Sequence, residues 1–204
     1  CGEHDCKQES VVHGPTLGAL SKRSTGRRAC PVASMCGFLH RSILRIEERG
    51  LHVIRSIEDA RSLVGQEIGV SNWIMIDQER IDRFAEATND FQWIHVDKER
   101  AVRELPNGRT IAHGYLTLAL VPALTSEFVK VENLARALNF GCNKVRFYTM
   151  VPEGSRVRAR ATVLQASKRG GALHLTSEVR IEVEGEKKPA CVAQTIGMFF
   201  FNEP

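Results

Sequence analysis

Two runs in the C-terminal third constrain this chain more than any other feature. Over residues 155–166, Val157, Ala159, Ala161 and Val163 alternate with Arg156, Arg158, Arg160 and Thr162. Over 172–184, Leu173, Leu175, Val179, Ile181 and Val183 alternate with His174, Thr176, Glu178, Arg180 and Glu182. A period of two sends alternate side chains to opposite faces of a strand, and Lys168-Arg169-Gly170-Gly171 between the runs supplies a turn. The pair therefore reads as an antiparallel hairpin with one apolar face. With the turn centred near Arg169, Arg160 faces Glu178 and Arg156 faces Glu182. That makes the arginines an ion-paired, solvated face rather than a phosphate-binding stripe. Residues 190–201 are apolar on both faces, as a central strand requires.

An apolar sheet face needs a cover, and residues 115–129 offer one. Leu116, Leu118, Ala119, Leu120, Val121, Ala123, Leu124 and Phe128 leave almost no polar side on a helix, so this helix is expected to be buried all round. It is shorter than the roughly 20 apolar residues that a membrane span needs. Upstream, Ile57, Ala60, Leu63 and Val64 recur at helical spacing before Gly65, and residues 73–76 read as a short strand. Asp77 caps a helix that Asn89 closes, and Asp97 caps another that runs to about Leu105 before Pro106-Asn107-Gly108. The sum is an α+β fold, an antiparallel β-sheet wrapped around a buried central helix.

Residues 1–52 are different in kind. They mix Gly, Ser, Arg and Cys without sustained periodicity, carry four of the six cysteines (Cys1, Cys6, Cys30 and Cys36), and begin at Cys1 rather than Met. We read 1–52 as an extension outside the fold, with a short helix possible near 39–46 and a native start between Met35 and Ile54, and 53–204 as the domain. The charge divides accordingly. The extension holds 8 Lys+Arg and 5 Asp+Glu, and the domain holds the remaining 20 (28 − 8) and 19 (24 − 5). A nearly neutral domain is not what a nucleic-acid binder presents. Cys142 and Cys191 stand in apolar contexts without Cys-x-x-Cys spacing, so we expect two buried thiols, a reduced cytoplasmic protein and no metal site.

The densest chemistry lies in Asn89-Asp90-Phe91-Gln92-Trp93-Ile94-His95-Val96-Asp97. A carboxylate and an imidazole separated by four residues, just after a helix ends, can converge on one water molecule and polarise it. Spacing alone leaves the plainer alternative open, a helix cap beside a structural hydrogen-bonding histidine.

Together with Ile111-Ala112-His113-Gly114-Tyr115-Leu116-Thr117, Asn143-Lys144-Val145-Arg146-Phe147 and Lys188-Pro189-Ala190-Cys191-Val192-Ala193, that segment resembles the (R)-specific enoyl-CoA hydratase signature of the MaoC-like dehydratase family, in its nodulation-protein-N-like branch. The resemblance covers roughly 54–201. Many members have Gly where this chain has Asn89, and Asn-Pro where it has Gln92-Trp93, a pair familiar in that branch. The resemblance implies a hot-dog fold, pairing into homodimers, and cofactor-free hydration of trans-2-enoyl-CoA to the (R)-3-hydroxyacyl-CoA. It places the family's catalytic aspartate on Asp90, its histidine on His95, and the backbone N–H that faces the thioester oxygen on Gly114. The last assignment has separate support, because Gly114 opens the expected buried helix, where an N–H has no intrahelical partner and the helix dipole is positive. For the substrate, Phe91, Trp93 and Tyr115 either line an acyl tunnel or fill the core. His113 is a third catalytic group or orients the helix-start loop, and Lys144 and Arg146 either meet CoA phosphates or are solvated strand residues. Two other readings stay open: a thioesterase, and an acyl-thioester binder without catalysis.

Overall fold

The computed structural model of the protein describes residues 50–202, so the extension's four cysteines and the helix expected near 39–46 lie outside the described residues. Strand β1 (His52–Ile54) and helix α1 (Ile57–Ser62) lead into β2 (Glu67–Val70) and β3 (Ile74–Ile76). Four helical segments follow, α2 (Gln78–Thr88), α3 (Trp93–Val96), α4 (Lys98–Glu104) and α5 (Gly114–Ala119), and then α6 (Val121–Thr125). Strands β4 (Val129–Val131), β5 (Leu134–Phe147), β6 (Ser155–Arg169), β7 (Ala172–Val183) and β8 (Cys191–Phe201) complete the domain. The main sheet is antiparallel in the order β2-β6-β7-β8-β5, β3 also pairing with β6, while β1 and β4 form a separate parallel pair.

The hairpin turns one step later than the sequence suggests. Arg169 pairs with Ala172, leaving Gly170 and Gly171 at the corner with φ of 53° and 79°. Two left-handed residues make the tight turn whose twist matches paired strands. Leu164 then forms a bulge, since Val163 pairs with Ser177 and Gln165 with Thr176. Turn and bulge together set Arg158 opposite Glu182 and Arg160 opposite Arg180, so the expected pairs Arg160–Glu178 and Arg156–Glu182 do not form. Arg160 avoids its like-charged neighbour by dividing itself between Glu182 (2.8 Å) and Glu67 (2.6 Å). Arg158 binds Glu182 at 2.6 Å, and Arg156 reaches Glu184 at 3.2 Å. The face is ion-paired as expected, with different partners.

The other face holds the core. Val157, Ala159, Ala161 and Val163 of β6 and Leu173, Val179 and Ile181 of β7 are buried in one cluster with Leu116, Leu120, Leu124 and Phe128. The helix that carries Leu116, Leu120 and Leu124 departs from expectation in two ways. It is two short segments joined at Leu120, which keeps right-handed angles (φ −75°, ψ −14°), and it ends at Thr125. It is also buried along one stripe only, with Tyr115, Ala119, Pro122 and Ala123 exposed. One copy of the sheet covers one side of the helix, and the apolar residues on the other side are left uncovered by this chain.

Strand β5 was not legible. Its sequence lacks clean alternation, its pairing with β8 shifts register three times, and most of its residues are exposed along the sheet edge. Cys142 lies on it and is exposed, which corrects the expectation of two buried thiols. Of the two, Cys191 is buried, and burial, with Cys142 adding to it, pushes its thiol up to about 11. The capping expectations hold, Asp77 accepting from the Arg80 N–H and Asp97 from the Arg100 N–H, both at 2.9 Å. No helix among the described residues is long and apolar enough to cross a membrane.

Burial raises the Glu182 carboxyl, but hydrogen bonds and charge from Arg160 and Arg158 outweigh it and hold it below its ordinary range. A depressed carboxyl adds stability above the unfolded-state value, near ~4.3, and loses it as pH falls through the folded one. Glu182→Gln should therefore cost about 1–2 kcal/mol at pH 7, with a deficit that shrinks below pH ~4, in denaturant titrations at the two pH values.

Candidate active site

Helix α2 delivers the first group. Its C-cap Asn89 takes the left-handed conformation (φ 56°, ψ 28°), and the Asp90 N–H turns back to the Ala85 carbonyl at 3.2 Å. Asparagine tolerates this conformation better than most residues, so the helix stops there and Asp90 enters the next loop with an exposed side chain. The single turn α3 then buries His95, which is 6% exposed.

A clasp joins this stretch to residues 16 positions later. The Ile111 N–H donates to the Ile94 carbonyl at 3.0 Å, and His95 Nδ1 meets the Ile111 carbonyl at 2.7 Å. A carbonyl can only accept, so Nδ1 carries the hydrogen, and a neutral ring keeps its lone pair on Nε2. Ala112 is tied in turn to the Val151 carbonyl at 2.8 Å. The clasp brings His113 over the ring of His95, centroids 3.7 Å apart and planes inclined by 26°. His113 Nε2 donates to the backbone carbonyl of Asp90 at 2.9 Å. One carboxylate oxygen of Asp90 and one ring nitrogen from each histidine thus all lie within 4.8 Å of one another.

The same three groups are the donor set of a divalent-cation site, but the rings fit it poorly. Imidazole lone pairs lie in the ring plane, and two rings packed face to face aim theirs side by side rather than at one point. Polarising a small molecule between a carboxylate and Nε2 suits the arrangement better. Burial first, and the neighbouring His113 charge, hold the His95 imidazolium below its ordinary range against the Ile111 carbonyl and Asp90, which favour it.

Gly114 follows His113 and opens α5. A Cβ there would meet the Phe147 ring at 3.2–3.3 Å, so glycine lets the end of β5 lie close over the helix start. As the first helical residue, its N–H has no partner one turn earlier. The remaining expected residues are not part of the cluster. Phe91 is 55% and Tyr115 70% exposed, the latter edge-on to Phe147 at 6.0 Å. Trp93 is covered by the Arg100 guanidinium, 4.0 Å from the ring centre. Lys144, at φ 49°, and Arg146, whose Nη1 donates to the Val145 carbonyl, are exposed on β5.

Sequence reasoning missed Gln78. It is buried, its amide nitrogen donates to the His95 carbonyl (2.7 Å) and to Asp82 (2.7 Å), and its oxygen accepts from the Thr110 hydroxyl. Nothing in the sequence separates it from any other first-turn helical glutamine.

An apolar cavity of about 580 Å³, with Leu118, Val121, Val129, Leu175, Val179 and Phe199 in its walls, opens between the helix and the sheet. It begins about one helical turn beyond Gly114. A cleft of about 370 Å³ on the ion-paired face, beside Trp73 and Lys187, shares no residue with the cluster.

Comparison with known proteins agrees with this architecture. Residues 59–186 match the family described as MaoC like domain. The 3-hydroxyacyl-thioester dehydratase Z of Mycobacterium tuberculosis (strain ATCC 25618 / H37Rv) is 46% identical over 147 residues, 72% of this chain and 97% of that protein. Nodulation protein N of Rhizobium leguminosarum bv. viciae is 45% identical over 149 residues, 72% and 92% of the two chains. Among solved structures, the monoamine oxidase regulatory protein of Archaeoglobus fulgius superposes with a TM-score of 0.61 at 21% identity, covering 76% of this chain and 99% of the other. The (R)-hydratase from A. caviae involved in PHA biosynthesis gives 0.53 at 22%, covering 66% and 94%. The fold is the hot dog, α+β, as expected.

Replacing Gln78 with Leu should leave the buried Thr110 hydroxyl and the His95 carbonyl without their partner and cost about 1–3 kcal/mol. Thermal or denaturant unfolding measures it, and a change within error would show that the strut carries no weight.

Proposed function

Because this chain belongs to the MaoC-like dehydratase family, we propose that it is a hydro-lyase that reversibly adds water to a trans-2-enoyl-CoA thioester, giving the (R)-3-hydroxyacyl-CoA. The observation that carries this reading is the convergence of the Asp90 carboxylate with His95 beside the start of α5. Relatives named as a 3-hydroxyacyl-thioester dehydratase and an (R)-hydratase support the same chemistry.

The step needs a nucleophilic oxygen, a proton carrier and a place for developing charge. Water held between Asp90 and His95 donates one hydrogen to each, and its oxygen attacks the β-carbon. His95 Nε2 takes one proton as the C–O bond forms, and the alkene electron pair moves toward the thioester carbonyl. The Gly114 N–H meets the negative charge on that oxygen, where a preorganised donor stabilises the enolate more than the ground state. His95 then returns the proton to the α-carbon on the same face, so that H and OH add syn and the enzyme is regenerated. The addition is redox-neutral, and acid–base groups with one amide donor suffice for it. The cavity along α5 and α6 gives an acyl chain an apolar place to lie.

We also propose a homodimer. Strand β5 is a 14-residue edge with Leu138 at 50% and Phe140 at 60% exposure, and exposed edges of this length pair with a second chain unless blocked. A second copy on this edge would cover the apolar residues that one chain leaves open. Light scattering should report twice the chain mass, and Leu138→Lys should shift it toward one.

The catalytic reading is tested by hydration of crotonyl-CoA, followed as loss of enoyl absorbance. Asp90→Asn and His95→Gln should each lower the rate by about 10²–10⁴ with unchanged circular dichroism. Since His95 must be unprotonated to act and its value is held low, the acid limb of kcat/KM should lie below the ordinary imidazole value of about 6.5. Near-normal turnover in both variants would overturn the assignment. Release of free thiol would point to thioester hydrolysis, and tight binding without turnover to a non-catalytic acyl-thioester binder.

A further inference from the structure

The acid–base pair is built on a third residue that takes no proton in the scheme above. We propose that His113 is a positioning residue for this reaction, fixing Asp90 through its Nε2–H hydrogen bond and His95 through the packing of one imidazole face upon the other. The proposal rests on the hydratase reading of Asp90 and His95.

The argument begins with where His113 spends its polar atoms. It occupies the N-cap position of α5, yet its side chain makes no capping hydrogen bond. Short oxygen-bearing side chains serve that position best, because they can accept from the first-turn amides. His113 instead turns inward, 2% exposed, and donates from Nε2 to the Asp90 carbonyl at 2.9 Å. That one bond ties the loop carrying the carboxylate to the start of the helix carrying Gly114. Asp90 has little else to hold it: its side chain is exposed, and its own amide returns to α2. A core-filling residue at position 113 would pack as well against Phe84, whose ring lies 5.0 Å away, but would offer Asp90 nothing.

The second role follows from the tautomer. With Nε2 donating, the lone pair of His113 sits on Nδ1, which is buried and has no hydrogen-bond partner. Adding a proton there would create a buried donor with nothing to receive it. The two imidazoles lie face to face at that point, with ring centroids 3.7 Å apart. With both rings protonated, two cations would lie face to face. Two titratable groups act on His95 electrostatically: Asp90, from the loop after α2, favours its charged form, and His113, from the start of α5, disfavours it. The backbone carbonyl of Ile111 also favours the charged form, and burial opposes it most strongly. Thus His113 helps keep the lone pair on His95 Nε2 available to water.

Two substitutions separate the two roles. His113→Gln retains an amide N–H that reaches where Nε2 was but removes the ring, and His113→Phe retains a ring but removes the donor. With crotonyl-CoA, the Gln variant should keep kcat within about threefold of the parent, while the Phe variant should lose about tenfold or more in kcat with KM little changed. In both, the acid limb of kcat/KM should move to higher pH, because the group that disfavoured the His95 cation is gone. Equal losses in both variants that track the folded fraction, with the acid limb unmoved, would mean that His113 only fills space. Wild-type kinetics in the Phe variant would also overturn the proposal. A measurement on the unaltered protein, independent of folding of any variant and of turnover, is the histidine tautomer by nitrogen NMR. Nε2–H on His113 and Nδ1–H on His95 are expected, and the opposite tautomer on His113 would refute its role. If the parent protein fails to hydrate crotonyl-CoA, or Asp90→Asn turns over normally, the hydratase reading falls while the tautomer result still decides the contacts of His113.

Discussion

The candidate site exists because two backbone segments, around Ile94–His95 and around Ile111, are pinned together by hydrogen bonds of 3.0 and 2.7 Å. One of those bonds uses a side chain, so the clasp that brings the segments together also fixes the tautomer of His95. Everything else of chemical interest is placed by it. His113 and Gly114 follow Ile111 by two and three residues, so their distance from His95 is set by a few peptide units rather than by long side chains. Short connections leave few conformations to lose, which is how a small domain holds reacting groups in register.

Around the clasp, buried polar groups are matched with unusual economy. Gln78 uses both ends of its amide, joining Thr110 to the carbonyl of His95, and thereby binds the first turn of α2 to both clasped segments. Thr117 leans on the His113 carbonyl at 3.4 Å. The unmatched buried side-chain atom among the described residues is His113 Nδ1. A buried ring nitrogen left without a partner at the centre of a site is a local cost that the fold accepts there.

The sheet contributes shape more than chemistry. Its inner face of Val, Ala, Leu and Ile supports the helix that begins at Gly114, and its outer face is a chain of shared ion pairs from Glu67 through Arg160 and Glu182 to Arg158. Half-exposed pairs of this sort are individually weak, but a shared network fixes strand order and register. Because β5 lies at the sheet edge, the outward apolar residues of that strand and of the helix are left exposed by this chain.

The sequence by itself determined what depends on neighbours along the chain. Period-two alternation gave the β6–β7 hairpin and its inner face, Asp77 and Asp97 marked helix starts, and Asn89 marked the left-handed stop that releases Asp90. The pairing of Asp90 with His95 was visible from four-residue spacing and family resemblance together. Tertiary structure alone decided the rest. The register of the hairpin depended on a bulge at Leu164, which leaves no trace in the alternation, and β5 has no pattern of its own because its partners are distant in sequence. Gln78 and the stacking of His113 on His95 could not be read at all, since hydrogen-bond satisfaction is settled only when separate segments close over the same dry volume. Local geometry is encoded locally, whereas the worth of a buried polar group depends on which distant atoms surround it.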